Sequence, residues 1–232
     1  MSNGTRGERL RAAVIGVAGI GRTHLQAYRT LSQSPRPPCT LAAVCDVNPT
    51  ALESARAEYG AARAYTDFRA LLDDDEIEVV SLCVPHFLHR SMALAVIAAG
   101  KHLLLEKPVG MNYGQSVEVA EAARRGSGTT GVIFQSRFDP GVQFVRQEVI
   151  PRLGAIRFAS SREYHWRGAR YYAGAAWRGT WRGEGGGLFI NQCIHGWDLF
   201  QWLLGGVDYA YGYWANLLHP TIEVEDLSLI HI

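Results

Sequence analysis

The run Gly16-Val17-Ala18-Gly19-Ile20-Gly21 constrains the fold of this chain more than any other feature. It follows the apolar segment Leu10 to Gly16, which reads as a short buried strand, and precedes Arg22 to Leu31, which reads as a helix. A strand, a glycine turn and a helix in that order form the first crossover of a parallel sheet. The turn fits Gly-x-Ala-x-x-Gly, a variant of the dinucleotide fingerprint. Gly16 permits the tight turn, and the small Ala18 lets backbone approach a pyrophosphate. Gly21 allows close packing of helix on strand. The amides at Gly19, Ile20 and Gly21 open the helix and would face the phosphates. Such turns also serve packing alone, and Ala18 departs from the commonest form.

The alternation continues. Strands are expected at Leu41–Asp46, Ala62–Tyr65, Val79–Val84, His102–Leu105 and Gly131–Gln135. Helices are expected at Asn48–Tyr59, Phe68–Leu72, Ser91–Ala99 and Gln115–Arg125. This rhythm predicts an α/β fold with an N-terminal parallel sheet of the Rossmann kind, covered on both faces. The pattern breaks at Gly-Ser-Gly-Thr-Thr, so the reading divides the chain into domains at 1–128 and 129–232, with the last strand able to join the first sheet. Beyond it a helix is expected at Asp139–Ile150, a long strand at Ala155–Tyr164 and a helix at Leu188–Leu204. Ile222 to Asp226 reads as the start of a further strand. The chain reads as truncated in this second domain, and Leu227–Ile232 resembles read-through into non-native sequence.

Composition excludes several classes. A net charge of +1 offers no field to recruit nucleic acid or an anionic membrane. The polar opening lacks a secretory signal, and no apolar run reaches membrane-spanning length. Cys39, Cys45, Cys83 and Cys193 show no Cys-x-x-Cys pair and no zinc-like spacing with histidine, so reduced thiols in a cytoplasmic protein without a metal site are expected.

Candidate site residues gather at the strand tips. Asp46 ends the second strand, where a carboxylate accepts from ribose hydroxyls and repels a 2′-phosphate. This favours NAD, with NADP as the second cofactor admitted. Asp46 equally suits a helix N-cap. Glu106-Lys107-Pro108 ends the fifth strand, placing a cation at the sheet edge that carries the glycine turn. A surface lysine is the plainer reading. Desolvation beside a cationic nicotinamide would lower the pKa of Lys107 into a useful range. Pro85 and His89 would line the nicotinamide side, and His24 serves either the phosphates or packing. Asn191, His195 and Asp198 share one helical face by spacing, where His195 can accept a hydroxyl proton or sit in the core against Asp198. The glycines Gly185–Gly187 permit close backbone approach there. The aromatic and basic stretch from Arg162 to Arg182 suits a polyhydroxylated ligand or a protein interface.

Four motifs in order resemble the Gfo/Idh/MocA oxidoreductases, the sugar and inositol dehydrogenase group. They are Ala-Val-Ile-Gly-Val-Ala-Gly-Ile-Gly-Arg-Thr-His, Val84-Pro85-His86-Phe87-Leu88-His89, Ala-Gly-Lys-His-Leu-Leu-Leu-Glu-Lys-Pro, and Gly-Gly-Gly-Leu-Phe-Ile-Asn-Gln-Cys-Ile-His-Gly-Trp-Asp-Leu. The resemblance implies a C-terminal α+β domain on a mostly antiparallel sheet, incomplete here. It implies cofactor and substrate contact for Lys107, cofactor contact for Glu106, and a catalytic role for His195 with Asn191 and Asp198 orienting it. Many members carry aspartate where Asn191 stands, and an amide cannot stabilise an imidazolium by charge. The implied reaction is hydride transfer between NAD(P) and a secondary alcohol on a sugar, cyclitol or polyol, in a homo-oligomer when full length. The alternatives are an NAD-dependent glycoside hydrolase and a non-catalytic nucleotide-binding protein or inactive fragment.

Overall fold

The computed structural model describes residues 9–231. The polar opening at residues 1–8 and Ile232 lie outside them. The chain forms two compact units, the first running to Val84 and then from Leu88 to Val132. The second comprises Pro85–Phe87 and everything described from Ile133. The division falls after Val132 rather than at residue 128 because the last strand belongs to the first sheet.

In the first unit the elements alternate as β1 (Leu10–Ile15), α1 (Ile20–Ser32), β2 (Cys39–Cys45), α2 (Pro49–Tyr59), β3 (Arg63–Tyr65), α3 (Phe68–Leu72), β4 (Val79–Leu82), α4 (His86–Ala98), β5 (His102–Leu105), α5 (Tyr113–Arg125) and β6 (Thr130–Val132). All strands pair in parallel, in the order β3-β2-β1-β4-β5-β6. Side chains on β1 alternate between two cores. Ala12 and Val14 join Leu25, Tyr28, Val44 and Leu52 on one face. Ala13 and Ile15 join Val80, Leu82, Met92, Val96, Leu103 and Leu105 on the other. The central strands are thus mostly apolar on both faces, the signature of a sheet buried on both sides.

Two polar groups inside this unit are satisfied. Tyr28 Oη lies 2.8 Å from Ser81 Oγ. The Lys101 ammonium donates to the carbonyls of Asp74 and Ile77, each at 2.8 Å, and so fastens the loop before β4 to the start of β5. Strand order reverses between β1 and β4, and ligands of open parallel sheets bind at the carboxyl ends beside such a reversal.

The second unit is less regular. The helix expected at 139–150 is α6 (Pro140–Phe144), followed by a π turn at Val145–Val149 and a 3-10 turn at Ile150–Arg152. Pro151 accounts for the break, since it lacks the amide proton that a continuing helix needs. The strand expected at Ala155–Tyr164 does not form, and that segment carries no helix or sheet pairing. Its alternation is weak, and a strand is stable only against a neighbour. Three helices follow, α7 (Ala169–Ala173), α8 (Trp181–Glu184) and α9 (Ile194–Leu204), then an antiparallel pair, β7 (Tyr211–Ala215) and β8 (Leu227–His231). The strand expected to begin at Ile222 begins at Leu227, because residues 222–226 turn their backbone and carboxylates toward α8 and the glycine run.

Among the described residues no helix is long and apolar enough to cross a membrane.

Candidate functional site

Three glycines and one carboxylate build the mouth of the first unit. Gly16 has a φ of +87°, and a Cβ there would stand 2.2 Å from the carbonyl oxygen of Cys83. The extensions of β1 and β4 thus meet too closely for any side chain. A Cβ on Gly21 would stand 1.8 Å from the carbonyl oxygen of Gly16, so α1 can start this close to the strand only as glycine. Gly19, with φ +50°, has nothing within 4 Å of an added Cβ, leaving open space over the turn. No side chain caps α1. Gly21 N–H turns back to the Ala18 carbonyl at 2.9 Å and Arg22 N–H to that of Gly19 at 3.2 Å, so what α1 presents to an anion over the turn is chiefly the positive end of its dipole.

Asp46 leaves the tip of β2 toward this turn. Its Oδ2 accepts from Val17 N–H at 3.0 Å and its Oδ1 from Asn48 N–H at 2.9 Å. The N-cap of α2 is Asn48, whose Oδ1 accepts from Thr50 and Ala51. Asp46 therefore does not cap that helix, and its carboxylate is pinned beside the glycine turn. The helix dipole, the open turn and the fixed carboxylate fit the pyrophosphate and adenosine ribose of a dinucleotide.

The tip of β5 lies one strand beyond the reversal. Glu106 is buried, and its Oε1 lies 3.0 Å from His24 Nε2 on α1. Its Oε2 accepts from the Lys107 amide at 3.2 Å. Glu106 thus fixes the backbone that carries Lys107. Its charge, after burial itself, helps push the Cys83 thiol above its ordinary pKa. His89 is fully buried. Its Nδ1 lies 2.5 Å from the Pro108 carbonyl and its Nε2 2.8 Å from that of Val84. Burial lowers its pKa, against the opposing pull of the two carbonyls. His89, expected on the nicotinamide side, has no exposed surface and braces the exit of β4 against the segment after Lys107. Pro85 falls in the short piece that groups with the second unit. His24 was left undecided by sequence, since nothing in its spacing points to a partner 82 residues away.

In the second unit the glycine run ends α8 and packs tightly. Gly185 caps α8 in a left-handed conformation. A Cβ on Gly187 would stand 2.0 Å from the Glu225 carbonyl oxygen, so the close approach these glycines permit is to residues 222–226. The segment expected as one helix from Leu188 is a π turn, Leu188–Gln192, followed by α9. Asn191 and His195 therefore do not follow ordinary helical spacing. Asn191 Nδ2 donates to Tyr171 Oη at 3.1 Å and to Glu184 Oε1. Glu184 also accepts from Gly179 N–H at 2.6 Å, and burial raises its pKa. Tyr171 Oη accepts again from Gln192 at 2.9 Å. The His195 ring meets Phe134 edge-on, with centroids 6.1 Å apart.

Asp198 departs from expectation. Both its oxygens accept from Arg137, at 2.6 Å from Nε and by a second bond from Nη2. The bidentate fork raises the guanidinium pKa and commits the carboxylate to clasping α9 onto the turn Gln135–Phe138 rather than to orienting His195. Glu184 was not singled out by sequence, because a lone glutamate between glycines resembles surface loop. Burial, followed by the charges of Glu163 and Glu225, pushes the Cys193 thiol up to about 11.

Comparison with known proteins decides the family. Residues 10–134 match the model of an oxidoreductase family with an NAD-binding Rossmann fold, and residues 151–232 match the C-terminal domain model of the same family. The chain belongs to the Gfo/Idh/MocA family. An uncharacterized oxidoreductase of Bacillus subtilis, YrbE, is 27% identical over 223 residues, which is 93% of this chain and 60% of that protein. The D-glucoside 3-dehydrogenase of Escherichia coli is 30% identical over 201 residues, covering 84% of this chain and 54% of that enzyme. The WlbA dehydrogenase of Bordetella pertussis, solved with NADH and UDP-GlcNAcA, superposes with a TM-score of 0.84 at 30% identity. That match covers 96% of this chain and 66% of the solved one. The chain thus spans about half to two thirds of the length of these relatives.

Proposed function

We propose that this chain is the NAD-binding unit and part of the substrate unit of a dehydrogenase acting on a secondary alcohol of a sugar, cyclitol or polyol. The observation that carries the reading is the Asp46 carboxylate held 3.0 Å from the Val17 amide, over a glycine turn with open space above Gly19. The relatives named above, a glucoside dehydrogenase and a protein solved with NADH and a nucleotide sugar, support it.

The positive end of α1 would hold the pyrophosphate, and Asp46 the ribose hydroxyls. Bound NAD would take up the hydride from the alcohol carbon. Lys107, seated on backbone fixed by Glu106, and His195, on α9, are the groups assigned to the hydroxyl proton. Asn191 is hydrogen-bonded to Glu184 and Tyr171, and its own neutral amide can orient but not stabilise an imidazolium by charge. Asp46 repels a 2′-phosphate, which makes NAD the preferred cofactor over NADP. Tyr211, Tyr213 and Trp214 of β7 are largely exposed, which supports a homo-oligomer of the full-length protein.

The test is Lys107→Ala in the full-length protein. Turnover on a panel of sugars and cyclitols should fall about 10²–10⁴-fold, with NADH affinity changed only a few-fold. Unchanged turnover removes Lys107 from the proton path. Release of free sugar without NADH accumulation would instead assign the hydrolytic reading.

A further inference from the structure

Cys193 lies far along the sequence from the neighbours Glu163 and His165, so the spacing of the three gave no metal signature. In the folded second unit a carboxylate oxygen, an imidazole nitrogen and the thiol all lie within 4.8 Å of one another. We propose that these three side chains bind one zinc(II) ion and leave its fourth position open.

The donor set selects the metal. One thiolate, one imidazole and one carboxylate suit a borderline-soft divalent ion, and thiolate disfavours magnesium or calcium. Two negative ligands neutralise the ion, which lowers the cost of placing it beside the buried Cys193. Glu163 and His165 are two residues apart in the sequence, and their side chains come together. Their Oε2 and Nε2 are 3.1 Å apart. Metal–ligand bonds of about 2.0–2.1 Å imply a tetrahedral edge of about 3.3 Å between such atoms, and about 3.5 Å from either to sulfur. One edge is therefore already near its final length, and since all three donor atoms lie within 4.8 Å of one another the sulfur edges need to close by at most about 1.3 Å.

The opposite wall is shaped for the carboxylate. A Cβ on Gly196 would stand 1.5 Å from Glu163 Oε1, so glycine at 196 leaves room for the carboxylate where it stands, and a side chain there would push it aside. The His165 side chain keeps 33% of its surface exposed, which gives the ion an entry path and the open position access to water. Three protein ligands with an exchangeable fourth position distinguish this arrangement from a closed structural site. The ordinary alternative is a Glu163–His165 ion pair beside an inert thiol.

The experiment uses the full-length protein, stripped of metal with a chelator. Zinc is titrated against a chromophoric chelator, and cobalt(II) is titrated in parallel. One equivalent of zinc should bind, and cobalt should show a sulfur-to-metal charge-transfer band with the visible bands of tetrahedral coordination. Cys193→Ser should abolish the charge-transfer band. Cys193→Ser and His165→Gln should each weaken zinc by at least about 100-fold, since even outer-shell changes cost 10–100-fold. Gly196→Ala should weaken zinc with all three donors present. NADH binding and the thermal transition of each variant report folding, and the exposed His165 carries the test if Cys193→Ser misfolds. Uptake well below one equivalent, or zinc affinity unchanged in His165→Gln, would overturn the proposal.

Discussion

The first unit buries a parallel sheet between two aliphatic layers, whereas the second fastens its backbone to carboxylates. On β1 every residue from Ala12 to Ile15 is at most 2% exposed and makes its contacts through hydrocarbon. In the second unit, Glu184 accepts from Gly179 and Asn191, Glu225 from the amides of Gly187 and Phe189, and Asp226 from Leu217, Leu218 and His219. Hydrocarbon packing tolerates exchange of one aliphatic residue for another at similar volume. A buried carboxylate serving two or three amides tolerates no such exchange, because each amide left without an acceptor has lost its water as well. The two units should therefore fail differently.

The largest effect should come from the first unit's closest backbone approach. Gly21→Ala sets a methyl against the Gly16 carbonyl and should cost on the order of 4–5 kcal/mol. Calorimetry should show the Rossmann transition lowered or lost, with NADH binding gone. Next, Glu225→Ala strands the amides of Gly187 and Phe189 and should cost about 2–4 kcal/mol. Hydrogen exchange should rise from Gly179 to Gln192 while β1, β4 and β5 stay protected. Uniform exchange in both units would break the contrast.

A smaller effect separates the units by pH. Asp74 in the first unit is desolvated, but bonds from Tyr65 and Arg63 outweigh this and hold its pKa below the ordinary value. Its contribution, about 1 kcal/mol, is full above the unfolded carboxyl pKa of about 4 and is lost as pH falls through the lower folded value. Glu184 has the opposite sign. Burial raises its folded pKa, so its contribution is full below the unfolded value of about 4.3 and is lost as pH rises through the folded one. Denaturant melts across pH 3–7 should lose the acid-side slope in Asp74→Asn, and the slope of opposite sign in Glu184→Gln. Parallel curves would contradict the assignment.

How much was legible in the sequence follows the same divide. The central strands and the turn at Gly16–Gly21 were readable because burial on both faces favours runs rich in apolar residues, the half-buried edge strands β3 and β6 followed from the alternation, and Asp46 stood at a strand end. The tie between His24 and Glu106 was not readable, since it joins α1 to β5 and leaves no periodic trace. In the second unit Asn191 and Asp198 were found by spacing, yet the π turn and the Arg137 fork reassign their partners. Glu184 escaped notice because whether a glutamate is buried depends on tertiary contacts, here with Gly179 and Asn191. The strand expected at Ala155–Tyr164 failed for a related reason, because strand formation requires a neighbour that local sequence does not specify.

The central claim is that the Asp46 carboxylate beside the glycine turn makes the first unit an NAD site. Isothermal titration of the full-length protein with NADH and NADPH tests it most directly. The account predicts one NADH per chain and NADPH weaker by about tenfold or more from repulsion at Asp46, with that preference erased in Asp46→Ala. No uptake of NADH, or NADPH bound as tightly as NADH by the unaltered protein, would contradict it.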